Sequence, residues 1–276
     1  MVLLDSCKLH SLLMLTAITR GVSPAIARCE LSFIARKAID LSRAREQHQA
    51  YEVLLGKLGA RVISLPSEPD LPDAMFVEDP AIVLDEIAIL LPMGTESRRG
   101  EAASLGKELS KYRKLAHVSL PGMLEGGDVL RIGRKLFVGL TKRSNAEGIR
   151  QFADIVEPHG HEVISVAVSG CLHLKSAVTC IAENTLLANR AWFDTAPFTG
   201  YDWIDVDPSE PRAANALALG GTIILSAAFP RTRGRIGSLY RVTPLDVSEL
   251  EKAEAGLTCS SLLFEGSSGS PGLDGR

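Results

Sequence analysis

Five times along the chain a short polar cluster is followed by an apolar, strand-like run, and no other feature constrains the fold as tightly. The clusters are Glu78-Asp79, Gly127-Asp128, Lys175-Ser176, Ala214-Asn215 and Thr258-Cys259. The runs after the first four are AIVLDEIAILL, VLRIGRKLFVGL, AVTCIAENTLLAN and ALALGGTIILSA. Each reads as strand, tight turn, strand, with Asp-Glu, Gly-Arg, Glu-Asn and Gly-Gly at the turns. The fifth, SLLF, has no second strand after it, and LTAIT near the start is its natural partner. Pairing the two closes a ring. Asp40–Leu58, Arg98–Lys111 and Asn145–Glu157 carry apolar residues near a 3.6 period and are expected to be helices. Ser144 and Glu147, three apart, suggest a capping box at the third. The units recur at roughly 40–50 residues, a propeller-like spacing. A ring of strand-helix-strand-strand units brings the five polar clusters to one end of a central channel. The competing explanation is five coincidental hairpin turns.

The chain has 276 residues and a formal net charge of −3, so no cationic surplus points to nucleic acid or a membrane surface. No apolar run reaches the roughly 18 residues of a membrane span. Five cysteines, an odd number, do not make a disulfide framework and point to free thiols in a reducing compartment, hence the cytoplasm. Residues 1–14 are expected to be a loose extension, since Asp5 precedes Lys8 and the apolar patch Leu12–Ile18 is too short for a secretory leader. Residues 15–264 are the expected folded part, and their length suits one large domain or two small ones. The Gly/Ser/Pro-rich residues 265–276 are expected to be disordered.

Cys29, Cys171 and Cys180 sit among apolar residues and read as packing thiols, and Cys7 lies in the ragged start. Cys259 closes the last repeat, between Gly256-Leu257-Thr258 and Ser260-Ser261. As a nucleophile it needs a base or a cation nearby; alone it reads equally as a buried thiol. His159 and His161 form an H-x-H pair expected to be solvated. His173, between two leucines on an expected strand, is either a satisfied strand histidine or a general acid/base. No second pair at ligand spacing joins Cys171 and His173, so no metal is expected. Carboxylates concentrate in Asp73–Asp79 and at Glu125 and Asp128. Acids at strand entries are costly to bury unless paired, and a planar guanidinium pairs with them bidentately. The alternative is plain turn chemistry with solvated acids.

FVEDPAIV, EGGDVLRIGRKLFVGLTKRSN, CLHLKSAV and SELEKAEAGLTCSSLLF, in that order, resemble the dimethylarginine dimethylaminohydrolases of the guanidino-group modifying superfamily, from about Leu15 to Phe264. The resemblance implies an α/β fold, a single-domain five-bladed α/β propeller with pseudo-fivefold repeats. It implies hydrolysis of Nω-methylated arginine to citrulline and a methylamine, with no cofactor and no metal. Cys259 is then the nucleophile, His173 the acid/base and Glu125 the residue that orients it. Asp73, Glu78 and Asp79 would grip the guanidinium and its surroundings, and Phe76 would be a further substrate-binding residue. Arg98 and Arg143 would bind the substrate carboxylate, and the main chain at Leu31 and Ala253 the α-amino end. Leu31 lies in a lid-like loop, Pro24–Lys37, that departs from the family pattern. The expected partner is a small methylarginine, with no nucleic acid and no membrane, for a monomer or homodimer. The rival readings are an arginine deiminase, a non-catalytic arginine-binding propeller, and a metal-dependent amidinohydrolase, whose Asp/His clusters the sequence lacks.

Overall fold

The computed structural model describes residues 14–266. In chain order the elements are β1 (Met14–Arg20), α1 (Leu41–Lys57), β2 (Arg61–Leu65), β3 (Ala81–Val83), β4 (Ile87–Leu90), α2 (Glu101–Leu109), β5 (Lys114–His117), β6 (Val129–Ile132) and β7 (Lys135–Leu140). There follow α3 (Ala146–Val156), β8 (Glu162–Ala167), α4 (Leu174–Ala177), β9 (Val178–Ala182), β10 (Thr185–Ala188), β11 (Asp202–Asp205), β12 (Leu217–Leu219), β13 (Thr222–Ser226), α5 (Pro230–Gly237), β14 (Val242–Leu245), α6 (Ser248–Glu251) and β15 (Leu262–Gly266).

The strands form five three-stranded mixed sheets: β3-β4-β5, β6-β7-β8, β9-β10-β11, β12-β13-β14 and β15-β1-β2. In each, the first two strands pair antiparallel and the third lies parallel to the second. Within a sheet the order is therefore hairpin, crossover, strand rather than the strand-helix-strand-strand unit expected, because a parallel third strand requires a long crossover. Helices α2, α3, α5 and α1 make four of these crossovers; the crossover between β10 and β11 holds only a short 3-10 turn, Arg190–Trp192. The fifth sheet is built from both ends of the described chain, with Met14 opposite Gly266 and Ile18 opposite Leu262. This is the anticipated pairing of LTAIT with SLLF. It also places Met14, Glu265 and Gly266 in strands, although the sequence reading assigned them to the loose extension and the tail. The rest of the extension and tail, with Cys7, lies outside the described residues.

Packing links the sheets in order. One apolar cluster joins Ile18 of β1 to Ala88 of β4, and the next joins Ile89 of β4 to Leu136 of β7. Phe137 of β7 then meets Leu186 of β10, and Leu187 of β10 meets Ile223 of β13. The fifth joins Ile224 of β13 to Ala17 of β1. Alternate residues of a strand face opposite sides. Ile89/Ala88, Leu136/Phe137, Leu186/Leu187 and Ile223/Ile224 thus each send neighbouring side chains into two different clusters. That is why the inner strands are apolar throughout instead of alternating.

Helix α1 follows the sequence pattern closely. Asp40 caps it by accepting from the Arg43 amide, and Ala44, His48, Tyr51 and Leu55 form its buried face. At α3 the cap is Asn145, which accepts from the Gly148 amide. Ser144 is not the expected cap, because its hydroxyl is committed elsewhere. Two further expectations fail. His161 is buried, its Nε2 3.3 Å from Glu86 and 3.2 Å from Arg134, so it is not solvated. His173 lies on no strand; it precedes the one-turn helix α4 in extended conformation. Cys29 and Cys171 are buried thiols and Cys180 is partly buried, as their apolar surroundings imply.

Candidate active site

All five polar clusters meet through hydrogen bonds. Glu78 pairs with the Lys175 ammonium through one oxygen and accepts from the Thr258 hydroxyl at 2.8 Å through the other. Asn215 donates to the Lys175 carbonyl at 3.0 Å and accepts from the Thr258 amide at 3.1 Å. Asp79 accepts from the Gly127 amide at 3.2 Å, and Asp128 accepts from the Leu174 amide at 2.9 Å. The Glu78 amide donates to the Cys259 carbonyl at 3.3 Å. Each cluster precedes the first strand of a sheet. The repeat thus delivers its polar residues to one place.

The centre of this network is an imidazole held between carboxylates. His173 Nε2 lies 2.7 Å from Glu125 Oε2, and Nδ1 lies 3.9 Å from Asp79 Oδ1. The carboxylate of Glu125 accepts the Nε2 proton, which leaves Nδ1 as the exchangeable nitrogen. The other Glu125 oxygen accepts from the Gly94 amide at 3.0 Å and from Arg143 at 3.4 Å. Burial disfavours a charge on His173, but Asp79, Asp128 and Glu125 outweigh it and raise its pKa to about 9. Glu125 is fully buried, yet the His173 hydrogen bond and charge, with Arg98 and Arg143 behind, hold its carboxyl well below the usual range. The pair rests as imidazolium and carboxylate. The EGGD glycines make room for it: a Cβ on Gly127 would lie 2.5 Å from His173 Nδ1, and one on Gly126 would lie 2.0 Å from the Glu78 carbonyl. Their role is close approach between protein groups.

Cys259 lies in a 3-10 turn, Thr258–Ser260, with the Gly256 amide 3.4 Å from its sulfur. Burial pushes its thiol up strongly, and the charges of Glu78 and Asp79 push it further; Lys175 opposes them weakly. The resting sulfur is therefore protonated. Leu31, Phe76, Ala253 and Cys259 share one apolar cluster, which brings the expected nucleophile, the Pro24–Lys37 loop and two expected contact residues together. Between the lid and the segment leading to His173 lies a cavity of about 270 Å³, lined by Phe33, Ile34, Leu172, Trp192, Glu254 and Gly256.

The two arginines differ. Arg143 is tied loosely, to Thr95 at 3.3 Å, Ser32 at 3.2 Å and Glu125 at 3.4 Å. Arg98 is gripped by Glu101 through two hydrogen bonds of 2.9 Å and by Asp79 at 2.9 Å. Three of the five N–H donors of Arg98 are thus already used, and it serves the carboxylate network first. Burial raises the Glu101 carboxyl to about 7 despite Arg98, and burial also raises Asp73, which accepts from the lid amide of Glu30 at 3.1 Å. Asp79, Glu125 and His173 place ligand atoms within 4.8 Å of one another. Arg98 lies 2.9 Å from Asp79 and 3.9 Å from Glu125, so a divalent ion there would face a guanidinium. The cluster fits proton transfer rather than metal binding.

Sequence reasoning assigned no role to Thr141, Glu101 or Glu254, and read Ser144 only as a helix cap. Glu254 has φ 61° and accepts from the lid amides of Ser32 and Phe33, both at 2.7 Å. Their signals are weak, since a lone hydroxyl or acid beside a motif is common in any loop.

Comparison with known proteins gives a consistent result. The family model described as "N,N dimethylarginine dimethylhydrolase, eukaryotic" matches residues 30–193. A Pseudomonas aeruginosa N(G),N(G)-dimethylarginine dimethylaminohydrolase is 35% identical over 82% of this chain and 90% of its own length. The Streptomyces coelicolor enzyme of the same name is 34% identical over 89% of this chain and 95% of its own. The solved structure of a Cys-to-Ser variant of the Pseudomonas enzyme with citrulline matches with a TM-score of 0.85 at 32% identity, covering 91% of this chain and all of the other. Sheets, polar convergence and relatives together define a hydrolase of the guanidino-group modifying superfamily. Within it, the chain belongs to the dimethylarginine dimethylaminohydrolase family.

Proposed function

We propose that this protein hydrolyses Nω-methylated arginine to citrulline and methylamine or dimethylamine, with Cys259 as nucleophile and His173 as acid/base. The observation that carries the reading is the buried Glu125–His173 pair, set beside Asp79 in the same network as Cys259. Relatives named for this activity support it, as does a similar structure that holds citrulline.

The resting thiol is protonated because burial, and then the charges of Glu78 and Asp79, disfavour its anion. A substrate guanidinium among these carboxylates and Asp73 neutralises them and favours the thiolate, the S–H proton leaving to solvent because His173 already carries its own. The sulfur attacks the guanidinium carbon, and the carbon's planar π system opens to a tetrahedral adduct. The His173 imidazolium gives its Nδ1 proton to the methylated nitrogen, and the C–N bond breaks to release the amine. An S-alkylthiouronium on Cys259 remains. Neutral His173 then takes a proton from water, whose oxygen attacks the same carbon. The C–S bond breaks as the new hydroxyl loses its proton to solvent or to the released amine, returning the thiolate and leaving citrulline. Phe76 walls the guanidinium site, Arg143 and the remaining donors of Arg98 take the substrate carboxylate, and the carbonyls of Leu31 and Ala253 take the ammonium.

The five sheets are read as blades of a five-bladed α/β propeller spanning residues 15–264, a reading supported by core clusters that pass from each sheet to the next and back to the first. We place the protein in the cytoplasm, as a monomer or homodimer that needs no cofactor. Among the described residues no helix is long and apolar enough to cross a membrane. The test is incubation of wild type and Cys259→Ser with asymmetric dimethylarginine. Wild type is expected to form citrulline and a transient mass increment on Cys259, and the variant neither. Faster turnover of unmethylated arginine would overturn the substrate, and turnover by Cys259→Ser the mechanism.

A further inference from the structure

Asp128 is fully buried, yet among the described residues no lysine or arginine nitrogen lies within salt-bridge distance of it. Its carboxylate is instead filled by three donors. Oδ1 accepts from the Leu174 amide at 2.9 Å, and Oδ2 accepts from Ser144 Oγ at 2.6 Å and Thr141 Oγ1 at 2.8 Å. Each partner leads to a different part of the site. Leu174 follows His173 directly. Ser144 Oγ accepts from the Glu125 amide at 3.1 Å, and Thr141 Oγ1 accepts from the Arg143 amide at 3.0 Å and the Ser144 amide at 3.2 Å. Both hydroxyls are thus turned by backbone amides so that their protons point at residue 128. Thr141 Oγ1 has both lone pairs occupied and must donate. Residue 128 has to present an acceptor to Thr141, Ser144 and Leu174 at once, which a carboxylate does and a carboxamide does not.

We infer that Asp128 is a positioning residue for the reaction: its buried carboxylate joins the segments carrying His173, Glu125 and Arg143 and fixes the imidazole against Glu125. The inference rests on the assignment of His173 as acid/base. The titratable groups around the ring are Glu125, Asp79 and Asp128; Cys171 donates from its sulfur to the His173 carbonyl, and Arg98 and Arg143 stand behind Glu125. Glu125 and Asp79 are each shared with an arginine, whereas Asp128 has only neutral donors. Its charge acts on the imidazole together with those of Asp79 and Glu125, with no cation paired to it among the described residues. Burial raises its own carboxyl to about 6, which still leaves it mostly ionised at neutral pH.

The experiment is a histidine NMR titration of substrate-free full-length protein, wild type against Asp128→Asn and Thr141→Val, with kcat and KM measured on asymmetric dimethylarginine. Asp128→Asn is expected to lower the His173 titration by about one pH unit or more and kcat by tenfold or more, with KM changed less than about threefold. Thr141→Val keeps the carboxylate but removes one donor, so it is expected to shift His173 in the same direction by less. This second variant decides the matter if Asp128→Asn does not fold. A His173 titration unmoved in the folded variants, with kcat and KM falling together, would reduce Asp128 to a packing role and overturn the inference. The assignment beneath it fails separately, through wild-type turnover by His173→Gln.

Discussion

Glu254 offers a direct measure of how firmly the lid is held. It accepts from two consecutive lid amides, Ser32 and Phe33, at 2.7 Å, while its own backbone sits at φ 61°. Hydrogen bonds to a charged acceptor are worth about 1.5–3 kcal/mol when shielded. At this half-exposed position solvent competes, and about 1 kcal/mol each is a better figure. Two bonds give ~2 kcal/mol of closure. The left-handed backbone costs a non-glycine residue about 1–2 kcal/mol whether the lid is open or closed. Glu254→Gly removes both terms and so separates them. Hydrogen exchange at Ser32 and Phe33 is expected to quicken about 30-fold, the factor for ~2 kcal/mol, while global stability in urea falls by less than about 1 kcal/mol. The value of kcat/KM should fall, by no more than the same ~30-fold, because Asp73, Arg143 and Ser97 still hold Glu30 and Ser32. Exchange at these two amides that stays within about threefold of wild type would refute the latch.

Three other perturbations are informative. Gly127→Ala would place a methyl 2.5 Å from His173 Nδ1; kcat is expected to drop at least about 100-fold with the fold retained, as read by steady-state kinetics and circular dichroism. Lys175→Met leaves Glu78 buried without its cation, a change expected to cost about 3–5 kcal/mol in urea unfolding. The Glu125–His173 pair sets a pH signature. His173 is raised to about 9, so its stabilisation is complete below its ordinary 6.5 and is lost as pH rises through about 9. Glu125 is depressed, so its stabilisation is complete above 4.5 and is lost as pH falls well below it. The melting-temperature gap between wild type and Glu125→Gln should thus be widest between 4.5 and 6.5 and narrow on both sides.

Much of this site was readable before any coordinates, because a repeat places equivalent residues in equivalent positions. The five polar clusters stand out as interruptions of apolar runs, and each precedes the first strand of a sheet. Cys259, His173 and Glu125 followed from motifs. What the sequence hid was hydrogen-bond direction. Ser144 looked like a helix cap by spacing, but its hydroxyl bridges Asp128 and the Glu125 amide, and Asn145 caps instead. Similarly, the apolar neighbours of His173 suggested a strand, whereas the carboxylate of Asp128 draws the Leu174 amide into a single helical turn. His161 reads as solvated because the sequence gives no sign that Glu86 of the β3–β4 turn and Arg134 of the β6–β7 turn enclose it.

The sheet shared by β15 and β1 has a consequence for biosynthesis. Cys259 enters the fold immediately ahead of β15, so a growing polypeptide on the ribosome carries His173, the proposed acid/base, and the carboxylates long before the Cys259 sulfur. Partial products would be mute towards guanidines, and the reactive thiol would be seated only as the closing seam zips onto a strand made first.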